Sequence, residues 1–541
     1  MVRRGRWNGV SSRSFPRGLS WLPLAGAALL LIIVSAVAFV PNYTRKQVSS
    51  QTEQGAGATG DASAGSSGGS GAGSKGRSYL KGGSTSGGGT YGGGATGGSA
   101  GGGGSGGGGG QTPQERAACA AGHNGGSTAP GVTSSEIDVA STIVTDGVGA
   151  GFLGEAQDGM KVAVDAQNQA GGICGRRLVL KTINSNWNGP TGQTYIQNFI
   201  SSGKVFALVG QPDSEGLDAA LSSGTIDQAQ IPVVGTDGLL KRQYTDPWVW
   251  PVGVSTVSSM HIIAKYAHDR LGATSASQYG IVFDTAYKFG PEGAKAFDAE
   301  VNRLTGGHID GFSDPPSGCT KKYCGISSSQ SSYGGQIQAL NSACGSSGCK
   351  IIVLLLEPQP AETWMGGEQQ APKWYQSLFG GEPLFDDQVG ENCQGCGGQT
   401  PGCGSCSPMI VWTGLHPPLQ PFNSEPAVSE FCGALKTEFP SDDCHNVFTE
   451  SAYVGMKLFI AAAKQVGPNL TRTALRDVLN GQQFNFGLTG TPVLNFGTSS
   501  PRVANSAMTA YQENYKGGFA GWGYYQNLGF ISDPDATKDI S

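Results

Sequence analysis

Cys393, Cys396, Cys403 and Cys406 form C-x2-C-x6-C-x2-C, the sharpest chemical spacing in the chain. Two such thiolate pairs can hold a zinc ion tetrahedrally. In an oxidising compartment the same thiols pair with one another instead. The chain has 12 cysteines, an even number, all at or after Cys119, which suits such a compartment. Disulfides are therefore the expected reading of Cys393–Cys406, with zinc as the alternative. Cys319/Cys324, Cys344/Cys349 and Cys432/Cys444 read as local pairs at loop ends. Cys119 with Cys174 would tie the N-terminal approach to the first folded unit. Spacing alone does not fix these pairings, because so many cysteines allow very many connectivities.

A second spacing carries less. Gly149, Gly151 and Gly154 match G-x-G-x-x-G, a dinucleotide fingerprint in which the first glycine follows a strand almost directly. Here Thr145, Asp146, Gly147 and Val148 intervene. A plain ligand loop or a structural turn is the better reading. The six histidines are scattered and none forms H-E-x-x-H. No G-x-S-x-G sits between a strand and a helix. With no catalytic constellation and no cofactor motif that holds, the reading is a non-enzyme without a cofactor. His261 and His268 lie two turns apart on one helical face and read as solvent-facing or as a surface pair.

These residues need elements to position them. Ser135 to Asn186 reads strand, loop, helix, strand. Ile137 to Val144 is almost continuously apolar, as a strand covered on both faces should be. Glu155 to Ala170 has helical character, Gly171-Gly172 stops it, and Arg177 to Ile183 is the next strand. Ligands bind beyond the carboxyl ends of parallel strands, which makes Thr145–Gly154 a candidate binding loop.

The alternation continues. Strands are expected at 204–209, 231–235, 279–284, 308–312, 350–356 and 409–412. Helices are expected at 214–229, 256–271, 290–304, 336–343, near Lys373, and at 427–439, 450–466 and 471–479. Extended, aromatic-rich pieces follow at 506–515 and 518–525. The fold class is α/β, with parallel sheets flanked by helices, and some 420 residues are too many for one sheet. Two lobes with a cleft between them are expected.

The N-terminus reads differently. Arg3, Arg4, Arg6, Arg13 and Arg17 precede Leu22 to Val40, a run of 19 residues without a charge. As a helix it would span about 28 Å, close to a bilayer core. The arginines place the N-terminus inside and the rest outside the cell membrane. Cleavage after Ala36-Val37-Ala38, giving a secreted protein, is the competing reading. Of 89 glycines, 28 fall between Gln51 and Gly110, so this stretch reads as a disordered tether. The expected division is 1–21 cytoplasmic, 22–40 transmembrane, 41–112 linker and 113–541 binding domain. The net charge of −5 gives no basic footprint for nucleic acid.

Several phrases resemble a known family. GMKVAVDAQNQAGGICGRRLVL, FALVGQPDSEGLDAA, IPVVGTDG and YGIVFDTAYKFGPEGAKAF are similar to type I periplasmic solute-binding proteins of the leucine/isoleucine/valine-binding branch. The resemblance covers about Gly131 to Ile531. It implies two lobes joined by three crossovers, lobe one at about 131–252 plus 425–485 and lobe two at about 253–424 plus 486–531. It implies a monomer that closes on a small solute, such as an amino acid or amide, and delivers it to the permease of an ABC importer. A ligand-sensing ectodomain is the alternative, and an extracellular enzyme a more remote one. The family's contacts carry over to Phe152 and Leu153 after the first strand, Asp213 and Ser214 after VFALVG, and Thr236 and Asp237 after IPVV. In lobe two they carry over to Tyr287 or Phe289 and to Glu357. Ser214 and Thr236 would donate to a carboxylate, while Asp213, Asp237 and Glu357 would accept from an ammonium. Asp213 and Ser214 read equally well as a helix cap.

Overall fold

The computed structural model describes Cys119 and residues 124–540 apart from 317, 320, 347, 369–373, 387–388, 390–408, 514–521, 523–524 and 534. The apolar run Leu22–Val40, the glycine-rich stretch and Cys393–Cys406 lie outside the described residues. Among the described residues no helix is long and apolar enough to cross a membrane.

The first sheet has five parallel strands in the order β2-β1-β3-β4-β5. They are β1 (Glu136–Ile143), β2 (Arg177–Asn184), β3 (Ala207–Val209), β4 (Val233–Thr236) and β5 (Val249–Pro251). Strands β1 and β2 run in register from Glu136 beside Arg177 to Ile143 beside Asn184. Between them lie α1 (Ala150–Leu153) and α2 (Ala156–Gln169). The Gly171-Gly172 stop works sterically: Gly172 has φ +73°, and a Cβ there would lie 2.0 Å from Arg176 O. The following Arg176 is fully buried, and its guanidinium donates to Thr133 O, Gly126 O and Pro468 O. One arginine of the GRRL phrase thus ties the N-terminal segment to Pro468, 292 residues further on.

Helix α3 (Gly189–Ser201), unmarked by apolar periodicity, starts on an Asn188 cap with a proline in its first turn. The expected helix 214–229 is two, α4 (Ser214–Ser222) and α5 (Thr225–Ala229), because Gly224 turns left-handed between them. Short α6 (Arg242–Thr245) precedes β5.

The second sheet has seven strands in the order β12-β11-β10-β9-β8-β6-β7. Five are parallel: β6 (Tyr279–Asp284), β7 (Tyr323–Ile326), β8 (Cys349–Leu355), β9 (Tyr375–Gly380) and β10 (Met409–Thr413). The last two, β11 (Ala507–Glu513) and β12 (Tyr525–Ser532), are antiparallel additions. Helices α7 (Thr256–Leu271), α8 (Phe289–Thr305), α9 (Gly334–Cys344) and α10 (Pro358–Glu368) belong to this half.

Three expectations fail here. Residues 308–312 are a turn, not a strand: the Asp298 carboxyl group takes the Ile309 N–H at 2.8 Å and lies 2.6 Å from His308 Nδ1. The edge strand comes later, at β7, beside the Cys319–Cys324 disulfide. The helix near Lys373 is α10, ending before it, with strand β9 after it. His261 faces inward, 3% exposed, between Glu300 and Asp539 at 2.9 and 2.8 Å. The disulfides Cys119–Cys174, Cys344–Cys349 and Cys432–Cys444 are also formed.

The chain crosses between sheets three times. It leaves the first after β5, returns after β10 to α11 (Pro426–Glu438), α12 (Val447–Val466) and α13 (Arg472–Gly481), and leaves again for β11. Helix α12 is the backbone of the first lobe. It packs on α2 and β4 so tightly that a Cβ on Gly455 would meet Gly235 O at 2.3 Å.

Candidate functional site

The carboxyl ends of β1, β3 and β4 face those of β6 and β8 across a closed cleft, and an unanticipated residue fills its centre. Asn186 and Trp187, just past β2, both hold left-handed backbone at φ 56° and 55°. Such residues cost roughly 1–3 kcal/mol each and need compensating contacts. The Trp187 ring supplies them. It stacks on Tyr287 at 4.1 Å and Phe289 at 6.0 Å, meets Phe152 edge-on at 5.5 Å, and donates from Nε1 to Ser214 Oγ at 3.0 Å. Gly149 makes room for it, since a Cβ there would lie 2.9 Å from the indole. The first glycine of the apparent dinucleotide fingerprint is therefore a packing position, followed by one-turn helix α1 with buried Phe152 and Leu153.

Trp187 thus brings Phe152, Ser214, Tyr287 and Phe289 together. The other expected residues lie apart from it. Asp213 caps α4, accepting from Gly216 N at 2.9 Å, and burial raises its pKa. Thr236 donates its hydroxyl to Gln243 Oε1. Asp237 Oδ1 accepts from Leu239 N and Gln243 Nε2, each at 3.2 Å, and burial pushes its pKa to about 8. Glu357 is fully buried; burial first, then the charge of Asp284, push it to about 9. It is a neutral acid at pH 7.

Contacts across the cleft are polar as well as aromatic. Glu215 Oε1 accepts from Lys288 N at 2.7 Å, and the Lys288 ammonium pairs with Asp218, which also holds Arg242 at 3.1 Å. Glu292 Oε2 accepts from Lys241 N at 3.1 Å. Each lobe thus caps backbone of the other.

Beside this contact lies a cavity of about 110 Å³, lined from both lobes and a crossover. Lobe one contributes Phe152 and Glu155, lobe two Phe385, Asp386 and Trp522, and the approach to α12 Asp443, Asn446 and Phe448. The Asp443 carboxyl group accepts from Trp522 Nε1 at 2.7 Å, and its backbone N–H donates to Glu155 Oε2 at 3.2 Å. Trp522 stacks on His445 at 4.6 Å and on Phe385 at 5.3 Å. Asn446 caps α12 and donates to Phe152 O at 3.1 Å. Phe448 also lines a recess of about 10 Å³ with Asp237, Glu382 and Ser451. Apart from Phe152 and Asp237, none of these was a sequence candidate. Glu155 and Asp443 to Phe448 sit at helix starts, Phe385 and Asp386 follow β9, and Trp522 lies between β11 and β12, none of them in the loops that the family resemblance singled out.

Metal-binding chemistry has one further cluster among the described residues free of disulfide sulfur. His261, Glu300 and Asp533 place ligand atoms within 4.8 Å of one another. Both Glu300 oxygens already accept from the Arg303 guanidinium, so the cluster is an ion-pair network.

Residues 136–365 match the family model described as periplasmic binding protein. No curated protein sequence matches the chain. Its structure is similar to a fatty acid ABC transporter substrate-binding protein from Thermomonospora curvata, with TM-score 0.60, 16% identity, and 76% of this chain and 96% of that chain covered. It is similar to a possible leucine/isoleucine/valine-binding protein from Rhodopirellula baltica SH 1, with TM-score 0.58, 13% identity, and 73% and 96% covered. It is similar too to an ABC transporter solute-binding protein from R. palustris in complex with benzoate, with TM-score 0.56, 16% identity, and 74% and 98% covered. The chain is thus similar to type I periplasmic binding proteins, leucine/isoleucine/valine-binding ones among them.

Proposed function

We propose, for a chain with the type I periplasmic-binding-protein fold, that it captures a small polar solute between its lobes outside the cell and delivers it to an ABC importer. The solute class is an amino acid, an amide or a related compound. The observation that supports this most is the cavity walled by Phe152 and Glu155 on one lobe and by Phe385 and Asp386 on the other. An occupant there touches both lobes only when they are closed, so binding and closure are one event. Leu22–Val40 retains the protein in the membrane and the glycine-rich stretch gives the binding domain reach.

A thermal-shift screen of the full chain in detergent, against amino acids, amides and small aromatic acids, tests the reading. A solute at a hundred times its Kd adds about 2.7 kcal/mol of stability. Scattering from the chain without ligand and with the best solute should report closure. A solute that stabilises without any change in lobe separation removes the basis for capture between lobes.

A further inference from the structure

Buried aromatic side chains such as Phe206 and Trp250 find their partners, Phe459 and Asn480, within the first lobe. Trp187, 2% exposed, does not. Phe152 and Ser214 hold it from its own lobe, Tyr287 and Phe289 from the other. It hangs from a surface loop, with Asn186 and Asn188 on either side exposed to solvent. That loop is closed by Asn188 N donating to Ser185 O at 3.1 Å, and it keeps Asn186 and Trp187 in left-handed backbone. A side chain that merely fills a core needs no such backbone. Strain of this kind persists only where surroundings hold it, and it is relieved when the side chain leaves.

The slot around the ring has a definite shape and polarity. Tyr287 and Phe289 lie at 21° and 18° to the indole plane, so both present faces to it. Ser214 Oγ takes the indole N–H at 3.0 Å. On the remaining side Gly149 has no Cβ, where one would lie 2.9 Å from Trp187 Cε3.

We infer that this slot is a binding site for a flat aromatic solute carrying an N–H donor, that Trp187 occupies it as an internal competitor, and that such a solute enters by displacing the Trp187 ring. The indole touches both lobes only when they meet, so it favours closure as a bound solute would. An entering ring finds the slot available only in the fraction of chains from which Trp187 has swung out, and its apparent affinity falls by that fraction. Solutes that stack and donate as indole does can compete, and those that only stack lose the Ser214 hydrogen bond. This slot is distinct from the cavity beyond Phe152, and its ligand is independent of the polar solute proposed for that cavity.

Calorimetric titration of the full chain in detergent with indole and 1-methylindole tests this on the parent, Trp187→Ala and Gly149→Ala. Trp187→Ala removes the competitor. Gly149→Ala opens no hole but sets a methyl group against the indole and Val144, which should loosen Trp187 from its seat. Indole should bind Trp187→Ala about tenfold or more tightly than the parent, and Gly149→Ala about threefold or more tightly. 1-Methylindole, which has no N–H, should bind Trp187→Ala several-fold more weakly than indole, and adding Ser214→Ala should abolish that preference. Small-angle scattering should show a larger radius of gyration for Trp187→Ala, restored by indole. Unfolding temperatures establish that each variant is folded, and Gly149→Ala decides alone if Trp187→Ala is not. If Gly149→Ala binds indole no more tightly than the parent, Trp187 is ordinary packing, any binding to Trp187→Ala only fills the space left by truncation, and the inference is overturned. It is overturned too if Trp187→Ala keeps the parent's radius with and without indole. Neither result touches capture of an amino acid or amide, which titration of those solutes decides separately.

Discussion

At the scale of residues the cleft is governed by groups whose ordinary chemistry has been altered by burial. Glu357 shows this most clearly, with its pKa moved from 4.5 to about 9. Between those values the folded protein keeps a proton that the unfolded chain gives up. Its contribution to stability is therefore complete below about pH 4.5 and is lost as pH rises toward 9, by at most about 1.4 kcal/mol per pH unit. Glu357→Gln keeps the shape and removes the titration. Its stability relative to the parent should grow steadily from about pH 5 to about pH 9, as read by urea unfolding. Parallel profiles for the two proteins would show that Glu357 ionises normally. Trp187 teaches a related lesson: a side chain with no motif around it decides which other residues meet.

At the scale of elements, α12 sets how the first lobe is built. Its glycine at 455 lets it lie directly on β4, with Gly235 opposite. A methyl group at either position must displace backbone and cannot simply turn a flexible side chain. Gly455→Ala should destabilise the chain by about 2 kcal/mol or more despite alanine's better helix propensity. Equilibrium denaturation measures this, and a stabilised variant would refute the contact. The same helix begins at Asn446, whose side chain caps it and also holds the Phe152 carbonyl group. A change in α12 is thus felt directly at the cavity.

At the scale of the molecule, the lobes are held closed by few polar groups. Asp218 is the chief one, since it pairs with both Arg242 of its own lobe and Lys288 of the other. Asp218→Asn should let the unliganded chain spend more time open. Affinity then falls about three- to tenfold through the smaller closed fraction, with the cavity itself unchanged. Small-angle scattering without ligand should show a larger radius of gyration for the variant. An unchanged radius together with unchanged affinity would mean that the Asp218 pairs do not hold the cleft closed, leaving that to the stacking on Trp187 and the hydrogen bonds of Glu215 and Glu292.

The sequence by itself determined the α/β alternation, because apolar strands and amphipathic helices announce themselves locally. It also pointed to the disulfides Cys319–Cys324, Cys344–Cys349 and Cys432–Cys444, whose partners are close along the chain. It placed Phe152, Ser214, Tyr287 and Phe289 on strand-end loops that do meet. It misread 308–312 because Ile309 and Phe312 outweighed the Asp310-Gly311 turn signal between them, and nothing nearby shows the Asp298 carboxyl group that holds the turn. Only the tertiary structure decided that Trp187 occupies the centre of the cleft and that Thr236 points at Gln243. Only it assembled Glu155, Asp386, Asp443 and Trp522 around one cavity, from segments spread over the whole folded region. The physical reason is range. Secondary structure and close disulfides depend on neighbours a few residues apart. A cleft between lobes depends on how three crossovers juxtapose surfaces that no local pattern links.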